Sequence, residues 1–423
     1  MIIIKTYCKN VSILDMALIK RAVVACLDRK KYRSDVAELL LQHRPTKEEL
    51  SLYRQNIKQY DYAYTESLYD NLARRIQKRL KNKNTNIKAI KEEIRFDVNA
   101  NKNRTICIQT MEQQVLDYIA IFALEPFLKR IGEYQIAGIK GRGNDYGRKT
   151  VLEWLRHDDS IYFVKGDINK CYQSVDREKL MNFIKKYIKN KDLIWLIDFL
   201  TSTYSQGLSI GSLLSQFLCN VYLSQLYHYM KETVVINNHH LKYMIMQMDD
   251  IVLIHDNKEE LKYFYDKMID KLNELGLTLK TQEIYKIQDR NGHQANSKPI
   301  DLVGFLFYKD GLIRMRKTTF KRLHRTLVRV HNDLITKGHT NINRARRLLS
   351  QWGMFDKTDS YNFKQKYIKD IDYCKKLVSI FDKQNKKLKH CHGLIHNNII
   401  KFNNWKDLTA YLEDYSVYRF KEK

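Results

Sequence analysis

Two adjacent carboxylates, Asp249 and Asp250, interrupt an otherwise apolar run from Tyr243 to Ile254. Neighbouring acids repel one another, and burying such a pair costs several kcal/mol unless a cation compensates. A divalent ion bound by oxygens alone, Mg²⁺ or Mn²⁺, is the natural compensator. A third acid, Asp167, closes the apolar stretch Ile161-Tyr162-Phe163-Val164 two residues after Lys165. Phosphoryl transfer on two metals needs carboxylates from separate strands, converging on ions about 3.5–4 Å apart. Asp167, Asp249 and Asp250 are what this chain offers for that chemistry. Taken alone, Asp249-Asp250 is also compatible with a solvated turn, because Asp is common in turns.

The elements that must position these acids are legible around them. The β-prone flanks of Gln247-Met248-Asp249-Asp250 predict a β-hairpin with the acids at its turn. Asp167 sits at the end of a strand, with Tyr172 five residues on. Asp176 is expected to cap a helix over residues 177–187. A second helix is expected from Glu259 to Leu275, closed by Gly276.

In order along the chain stand strand-Asp167-x-x-x-x-Tyr172, then Ile210-Gly211-Ser212-Leu213-Leu214-Ser215-Gln216, then Gln247-Met248-Asp249-Asp250, then Leu302-Val303-Gly304-Phe305. This succession resembles the palm of a reverse transcriptase, over roughly residues 95–370. The Ile-Gly-x-x-x-Ser-Gln form is similar to that of diversity-generating retroelement enzymes and of the bacterial "unknown group" enzymes linked to phage defence. The resemblance implies that Asp167, Asp249 and Asp250 are catalytic and hold Mg²⁺ (or Mn²⁺) together with the Ile168 carbonyl. It implies nucleotide contacts from Lys102 and Arg104 on a fingers hairpin, from Tyr172 as the ring that excludes a 2′-hydroxyl, and from Gly211, Ser215 and Gln216. It implies primer or template contacts from Gln247, Gly304, Lys317, Arg322 and Arg325. Three positions depart from the family pattern. Ile210 replaces a Gln, a change that accompanies low fidelity in diversity-generating enzymes, and Gln247 replaces a Tyr that normally touches the primer end. The family's lysine near the leaving pyrophosphate aligns with Glu283, leaving Lys280 or Lys286 as substitutes.

The chain has 423 residues and a formal net charge of +27, which favours a polyanionic partner, nucleic acid above all. No apolar run of membrane-spanning length and no signal peptide is visible, so a membrane partner is not expected and a cytoplasmic location is. Seven scattered cysteines without C-x-x-C spacing suggest reduced thiols. Residues 1–90 read as a helical N-terminal extension, with a helix start at Pro45-Thr46-Lys47-Glu48-Glu49. Its basic run from Arg74 to Lys83 is either a solvated face or a phosphate-contacting surface. A hairpin over 93–108 and a helix from Met111 to Lys129 are expected as fingers. The glycine-rich stretch 139–147 is a connector or an anion-approaching loop, but not a P-loop.

The expected fold is α+β, a right-hand polymerase. Its parts are the extension (1–90), fingers and palm (91–316), a helical thumb (317–372) and a basic helical tail (373–423). Ser350 to Phe355 reads as the turn between thumb helices. In the tail, His390, Cys391, His392 and His396 match no zinc spacing, and Trp405 to Tyr418 reads as a last helix. The implied activity is RNA-directed DNA synthesis from dNTPs on a non-coding RNA, with a DNA product. A defence role is favoured over diversification because of the long extension and Gln247. A non-catalytic RNA-binding protein with a relict palm, or template-independent or protein-primed synthesis, stays open, as does a homo-oligomer.

Overall fold

The computed structural model describes residues 5–84, 87, 90–97, 102–280, 283–292 and 295–396, the side chains at 61–62, 97, 102 and 383–396 excepted. The chain divides into two units, Met1–Lys298 and Pro299–Lys423.

The first unit opens with helices α1 (Met16–Leu27), α2 (Ser34–Leu41) and α3 (Lys47–Lys81). Thr46 and Glu49 close a capping box at the start of α3, satisfying two orphan amides at once. The helix is kinked at Tyr60, whose φ of −127° and ψ of 29° lie outside the helical region. Strands β1 (Lys91–Asp97) and β2 (Lys102–Ile108) pair antiparallel as the fingers hairpin. Helix α4 (Met111–Ala123) follows. The helix expected to reach Lys129 stops short, and Glu125–Arg130 is 3₁₀ instead. Pro126 is the reason: it has no N–H for the α-helical ladder, and its ring crowds the preceding turn.

Next come α5 (Asn144–Leu155), β3 (Tyr162–Ile168), the single turn α6 (Cys171–Ser174), α7 (Arg177–Tyr187), α8 (Lys191–Ser202) and α9 (Leu213–His228). Asp176 caps α7, accepting from the Lys179 amide at 3.0 Å. The two-residue strands β4 (Val235–Ile236) and β5 (His239–His240) lead into β6 (Tyr243–Gln247), β7 (Asp250–His255) and α10 (Lys258–Glu274). Strands β8 (Leu279–Lys280), β9 (Tyr285–Ile287) and β10 (Ser297–Lys298) complete the unit. The palm sheet runs β10-β9-β3-β7-β6, with β8 also paired to β3. Ile251 to Ile254 are fully buried, which explains why β7 is continuously apolar rather than alternating. Helix α10 covers the sheet with Leu261, Phe264, Tyr265, Met268 and Leu272, spaced for one helical face.

The expected boundary at residue 90 does not separate two cores. Ile19, Val23 and Leu27 of α1 belong to one apolar cluster with Leu116 of α4, Leu196 of α8 and Leu253 of β7. Backbone and side chains add to the join. The Tyr7 amide donates to the Tyr187 carbonyl at 2.9 Å, and Lys20 pairs with Asp70 at 2.8 Å. Part of the basic run on α3 is structural: Arg75 donates to the Leu39 carbonyl at 2.8 Å and Arg79 pairs with Glu112.

The second unit begins with a meander of β11 (Ile300–Leu302), β12 (Phe305–Phe307) and β13 (Ile313–Met315). Helices α11 (Lys317–Lys337), α12 (Ile342–Phe355) and α13 (Tyr361–His396) pack on a core of Leu323, Leu327, Leu348, Trp352, Phe355 and Ile371. Ser350 to Phe355 is therefore the end of α12, not a turn. Ala345, Leu348, Trp352 and Phe355 fall on one buried helical face, and burying Trp352 and Phe355 outweighs the modest cost of Gly353. The expected thumb–tail boundary after residue 372 falls inside α13. The His390–His396 side chains and the helix expected over 405–418 lie outside the described residues.

Candidate functional site

The three acids meet on neighbouring strands. Gln247 pairs with Asp250 across β6 and β7, leaving Met248 and Asp249 as a two-residue turn. Met248 takes a φ of 55°, a left-handed conformation that costs a non-glycine residue about 1–2 kcal/mol, and its side chain is buried. Asp250 lies directly opposite Asp167 on β3. The Ile168 amide donates to the Asp249 carbonyl at 3.0 Å, fastening the turn to the end of β3.

Like charges directly opposite one another in a sheet are unfavourable, and two lysines offset them. Lys165 stands two residues before Asp167, on the same face of β3, with its Nζ 3.0 Å from Asp250 Oδ1. Lys280, opposite Asp167 on β8, donates to Asp167 Oδ1 at 2.7 Å. This hydrogen bond, outweighing partial desolvation, holds the Lys280 ammonium above its usual pKa. Asp249 reaches solvent at the tip of the turn. Crowding by protein on its inner side, and then the charges of Asp250 and Asp167, push its carboxyl up. Three carboxylates and the adjacent Ile168 backbone form an all-oxygen donor set that suits a hard divalent cation, and the raised Asp249 carboxyl marks where positive charge is wanting.

Tyr172 lies in the α6 turn, half-buried. Burial raises its hydroxyl pKa first, and Asp249 is among the negative groups that add to this. The loop 204–212 folds under it: the Leu208 amide donates to the Tyr172 carbonyl at 2.8 Å. A Cβ on Gly207 would stand 2.5 Å from the Gln173 carbonyl oxygen.

Gly211 has a φ of +115°, and a Cβ there would meet the Cys107 carbonyl at 2.8 Å. The close neighbour that requires glycine is thus the fingers strand β2, whose Cys107 amide also donates to the Ile210 carbonyl at 2.8 Å. Ser215 corrects an expectation. It is fully buried, and its Oγ accepts from the Ser209 amide at 3.2 Å, so it anchors the loop and is not presented to a nucleotide. Gln216 is half-buried with its amide against Gly138, in the connector whose residues Tyr134 and Ile136 bond to Met246 of β6. Arg104 lies on β2, half-buried, three residues from the Cys107 junction. Lys102 opens the same strand. Gln247 points its Oε1 into a buried position without a hydrogen-bond partner.

The remaining expected residues belong to the second unit. Val303 and Gly304 form the β11–β12 turn, with φ of 47° and 88°. Gly304 is required by that turn and by the Met354 sulfur, 3.3 Å from where a Cβ would lie. Lys317 and Arg325 are exposed on α11 and Arg322 is half-buried there, while Leu323 and Leu327 face the core.

Two residues at or near the site were not singled out from sequence. Lys165 had a signal, its i, i+2 spacing from Asp167 on a strand. Asp117 interrupts the apolar face of α4 and is 1% exposed. Its Oδ2 receives Gln109 Nε2 at 2.9 Å and Ser212 Oγ at 2.7 Å, joining the fingers helix to the cap of α9. Burial, partly offset by those bonds, pushes its carboxyl up to about 6.

Among the described residues the six cysteines are free and buried, and no helix is long and apolar enough to cross a membrane. No curated protein matches the sequence. Among solved structures the chain is similar to apo telomerase from Candida tropicalis truncated from its C-terminal domain. That match is 14% identical, covers 53% of this chain and 54% of the other, and has a TM-score of 0.38. The chain thus spans about half the length of that relative. Telomerase from Candida tropicalis in complex with a TWJ fragment of telomeric RNA is 12% identical, covering 81% of this chain and 68% of the other, at a TM-score of 0.42. The corresponding Candida albicans complex is 12% identical over 79% and 64%, at 0.39. Residues 69–306 match the family model for reverse transcriptase (RNA-dependent DNA polymerase). That match takes in Asp167, Tyr172, Asp249 and Asp250 and covers more than half of the 423 residues, so the chain belongs to the reverse transcriptase, or RNA-dependent DNA polymerase, family.

Proposed function

We propose that this chain copies an associated non-coding RNA into DNA, joining dNTPs to a primer hydroxyl with release of pyrophosphate. The observation that carries the reading is the meeting of Asp167, Asp249 and Asp250 on adjacent strands, with Lys165 and Lys280 as their counter-charges. Asp167, Asp249, Asp250 and the Ile168 carbonyl would hold Mg²⁺, or Mn²⁺. When bound, such ions activate the primer hydroxyl and neutralise charge on the phosphates. The residues of the chain do the rest. Tyr172 sits under the sugar and selects deoxynucleotides, since a ring there leaves no room for a 2′-hydroxyl. Lys102 and Arg104 hold the triphosphate, Lys as a point charge and Arg as a fork. Gln216 and the Gly211 backbone border the nucleotide, and Gln247, which pairs with Asp250 beside the acid turn, contacts the primer end. Lys280, already beside Asp167, is the lysine placed to give a proton to the leaving pyrophosphate; Glu283 accepts from Tyr285 at 2.8 Å instead. The exposed cations of α11, Lys317 and Arg325, with Arg322, track the phosphates of the RNA–DNA hybrid.

Within the family we assign the chain to the bacterial defence-associated lineage. Gln247 supports this, as does an extension whose helices share the palm core. The test is to purify the full chain with its co-expressed RNA, supply dNTPs and Mg²⁺, and sequence both RNA and DNA, with Asp249→Ala/Asp250→Ala as control. DNA complementary to one discrete bound RNA, absent in the control, is the expected result. Errors concentrated at template adenines move the assignment to diversification. Bound RNA with no DNA from either protein overturns the polymerase reading in favour of a binding module.

A further inference from the structure

At the far end of β7 from the acids, a second group of ligand-type side chains converges. Asp250 begins this strand and His255 ends it, so at about 3.4 Å per residue the two places are roughly 17 Å apart. Among the described residues, His239, His255 and Glu260 form the one group of three His, Cys, Asp or Glu side chains whose donor atoms all lie within 4.8 Å of one another. Each comes from a different element: His239 from β5, His255 from β7 and Glu260 from the first turn of α10.

Their donor atoms converge closely enough to share one cation. His239 Nδ1 lies 3.4 Å from the Asn237 carbonyl. Its Nε2 lies 2.9 Å from Glu260 Oε2; carbonyl and carboxylate both only accept, so without a metal the ring donates to one or both of them. The His255 Nε2 atom is 3.5 Å from the same oxygen. His255 Nδ1 has two neighbours, Asp256 Oδ1 at 2.9 Å and the Asn257 amide at 3.0 Å. Without a metal, Nδ1 accepts from the Asn257 amide and the ring's proton lies on Nε2, toward Glu260. A metal on Nε2 would move that proton to Nδ1, where Asp256 Oδ1 stands to accept it. Both Nε2 atoms and Glu260 Oε2 are then within reach of one ion. The 2.9 and 3.5 Å separations bracket the roughly 3.3 Å edge of a tetrahedron built from zinc bonds of about 2.0–2.1 Å.

The surroundings are those of a built metal site. Metal-bound histidines pass their other N–H to a carbonyl or carboxylate, and Asn237 O and Asp256 stand ready for His239 and His255. Asn237 Nδ2 donates to Glu260 Oε1 at 2.7 Å, which turns Oε2 toward the rings. The Asn237 and His239 contacts hold the Glu260 carboxyl below its usual range, so it is ionised at neutral pH. Asn237 and Asn238, with φ of 49° and 65°, make the tight β4–β5 turn that brings His239 back over His255, where the rings stack at 5.6 Å. The neighbouring cations are engaged elsewhere: Lys242 pairs with Asp159 at 2.7 Å, and Lys231 donates to the Leu241 and Lys242 carbonyls. A cavity of about 640 Å³ opens on the group, leaving room for a water as fourth ligand.

We propose that His239, His255 and Glu260 bind a zinc-class divalent ion that ties the β4–β5 hairpin, the end of β7 and the start of α10 together, separately from the ions of the polymerase site. Two imidazoles and one carboxylate suit Zn²⁺ rather than Mg²⁺. Binding displaces the protons shared among these groups.

The full chain, prepared with Zn²⁺ alone and dialysed against trace-metal-free buffer, is analysed for bound metal by mass spectrometry. One Zn²⁺ per chain is expected, kept in Asp249→Ala/Asp250→Ala and lost in His239→Ala, whose side chain is 44% exposed. Asn237→Gly keeps the turn but removes the amide that aims Glu260, and it should weaken Zn²⁺ by about 10–100-fold. Co²⁺ should give the visible absorption of a tetrahedral site in the parent and not in His239→Ala. Zinc content unchanged by both His239→Ala and Asn237→Gly, or no stoichiometric zinc in the parent, overturns the proposal.

Discussion

Asp117→Asn is expected to change how stability depends on pH. In the folded chain the Asp117 carboxyl is pushed from its ordinary 3.8 to about 6, by burial that three hydrogen-bond donors only partly offset. Between those values the folded chain keeps a proton that the unfolded chain has released. The stability tied to this group is therefore present below about pH 4 and is lost as pH rises through about 6. A gap of roughly two pH units at about 1.4 kcal/mol each gives about 3 kcal/mol. The side chain is 1% exposed, so solvent screening does not reduce that figure much. Asparagine keeps an oxygen for Ser212 and Gln109 and cannot ionise. Its NH₂ would take the place of Oδ1, which has no hydrogen-bond partner in the native chain, so the variant starts from a constant offset at every pH. Urea unfolding of parent and variant at about pH 4 and about pH 7 isolates the slope, because every other titrating group cancels in the difference. The variant should gain about 2.5 kcal/mol relative to the parent across this interval, the rest of the change lying below pH 4. Parallel profiles within about 0.5 kcal/mol would refute a buried, titrating Asp117 at the joint between α4 and α9.

Three further outcomes follow from the site. Gly207→Ala places a Cβ 2.5 Å from the Gln173 carbonyl oxygen at a φ of +53°. It should cost roughly 2–4 kcal/mol in denaturant unfolding, and a cost below about 1 kcal/mol would contradict the packing of that loop. Lys280→Ala should slow single-nucleotide incorporation on the order of 10²-fold with the nucleotide KM nearly constant, as expected for a proton donor. A rate restored merely by raising Mg²⁺ would reduce Lys280 to a counter-ion of Asp167. Tyr172→Ala should raise ribonucleotide incorporation relative to deoxynucleotide by about tenfold or more, read from competing extension products, and unchanged discrimination would remove the ring from sugar selection.

The acids were legible because local pattern alone dictates their setting. An apolar run broken by Asp249-Asp250 has little choice but a hairpin, and a strand ending at Asp167 supplies its partner. The Asp176 cap, the α10 face and the Gly276 terminus were equally local, since each is decided within a turn or two of helix. At two places where expectation and structure part, a packing or loop contact decided the outcome. Ser350 to Phe355 looked like a turn because of Gly353, yet Trp352 and Phe355 had a core to fill. Ser215 seemed to face the site until the loop at Ser209 claimed its hydroxyl.

By itself, then, the sequence determined the order of the motifs, the three acids, the basic character and the α+β class, because charge, periodicity and turn chemistry act over a few residues. Tertiary structure alone decided that Lys165 and Lys280 answer Asp250 and Asp167, that Asp117 joins α4 to α9, and that His239, His255 and Glu260 share one corner. Lys280 is 113 residues from Asp167, and Asp117 is 95 from Ser212. Partnerships over such distances depend on which strands pair and which helices pack, and no local propensity encodes them.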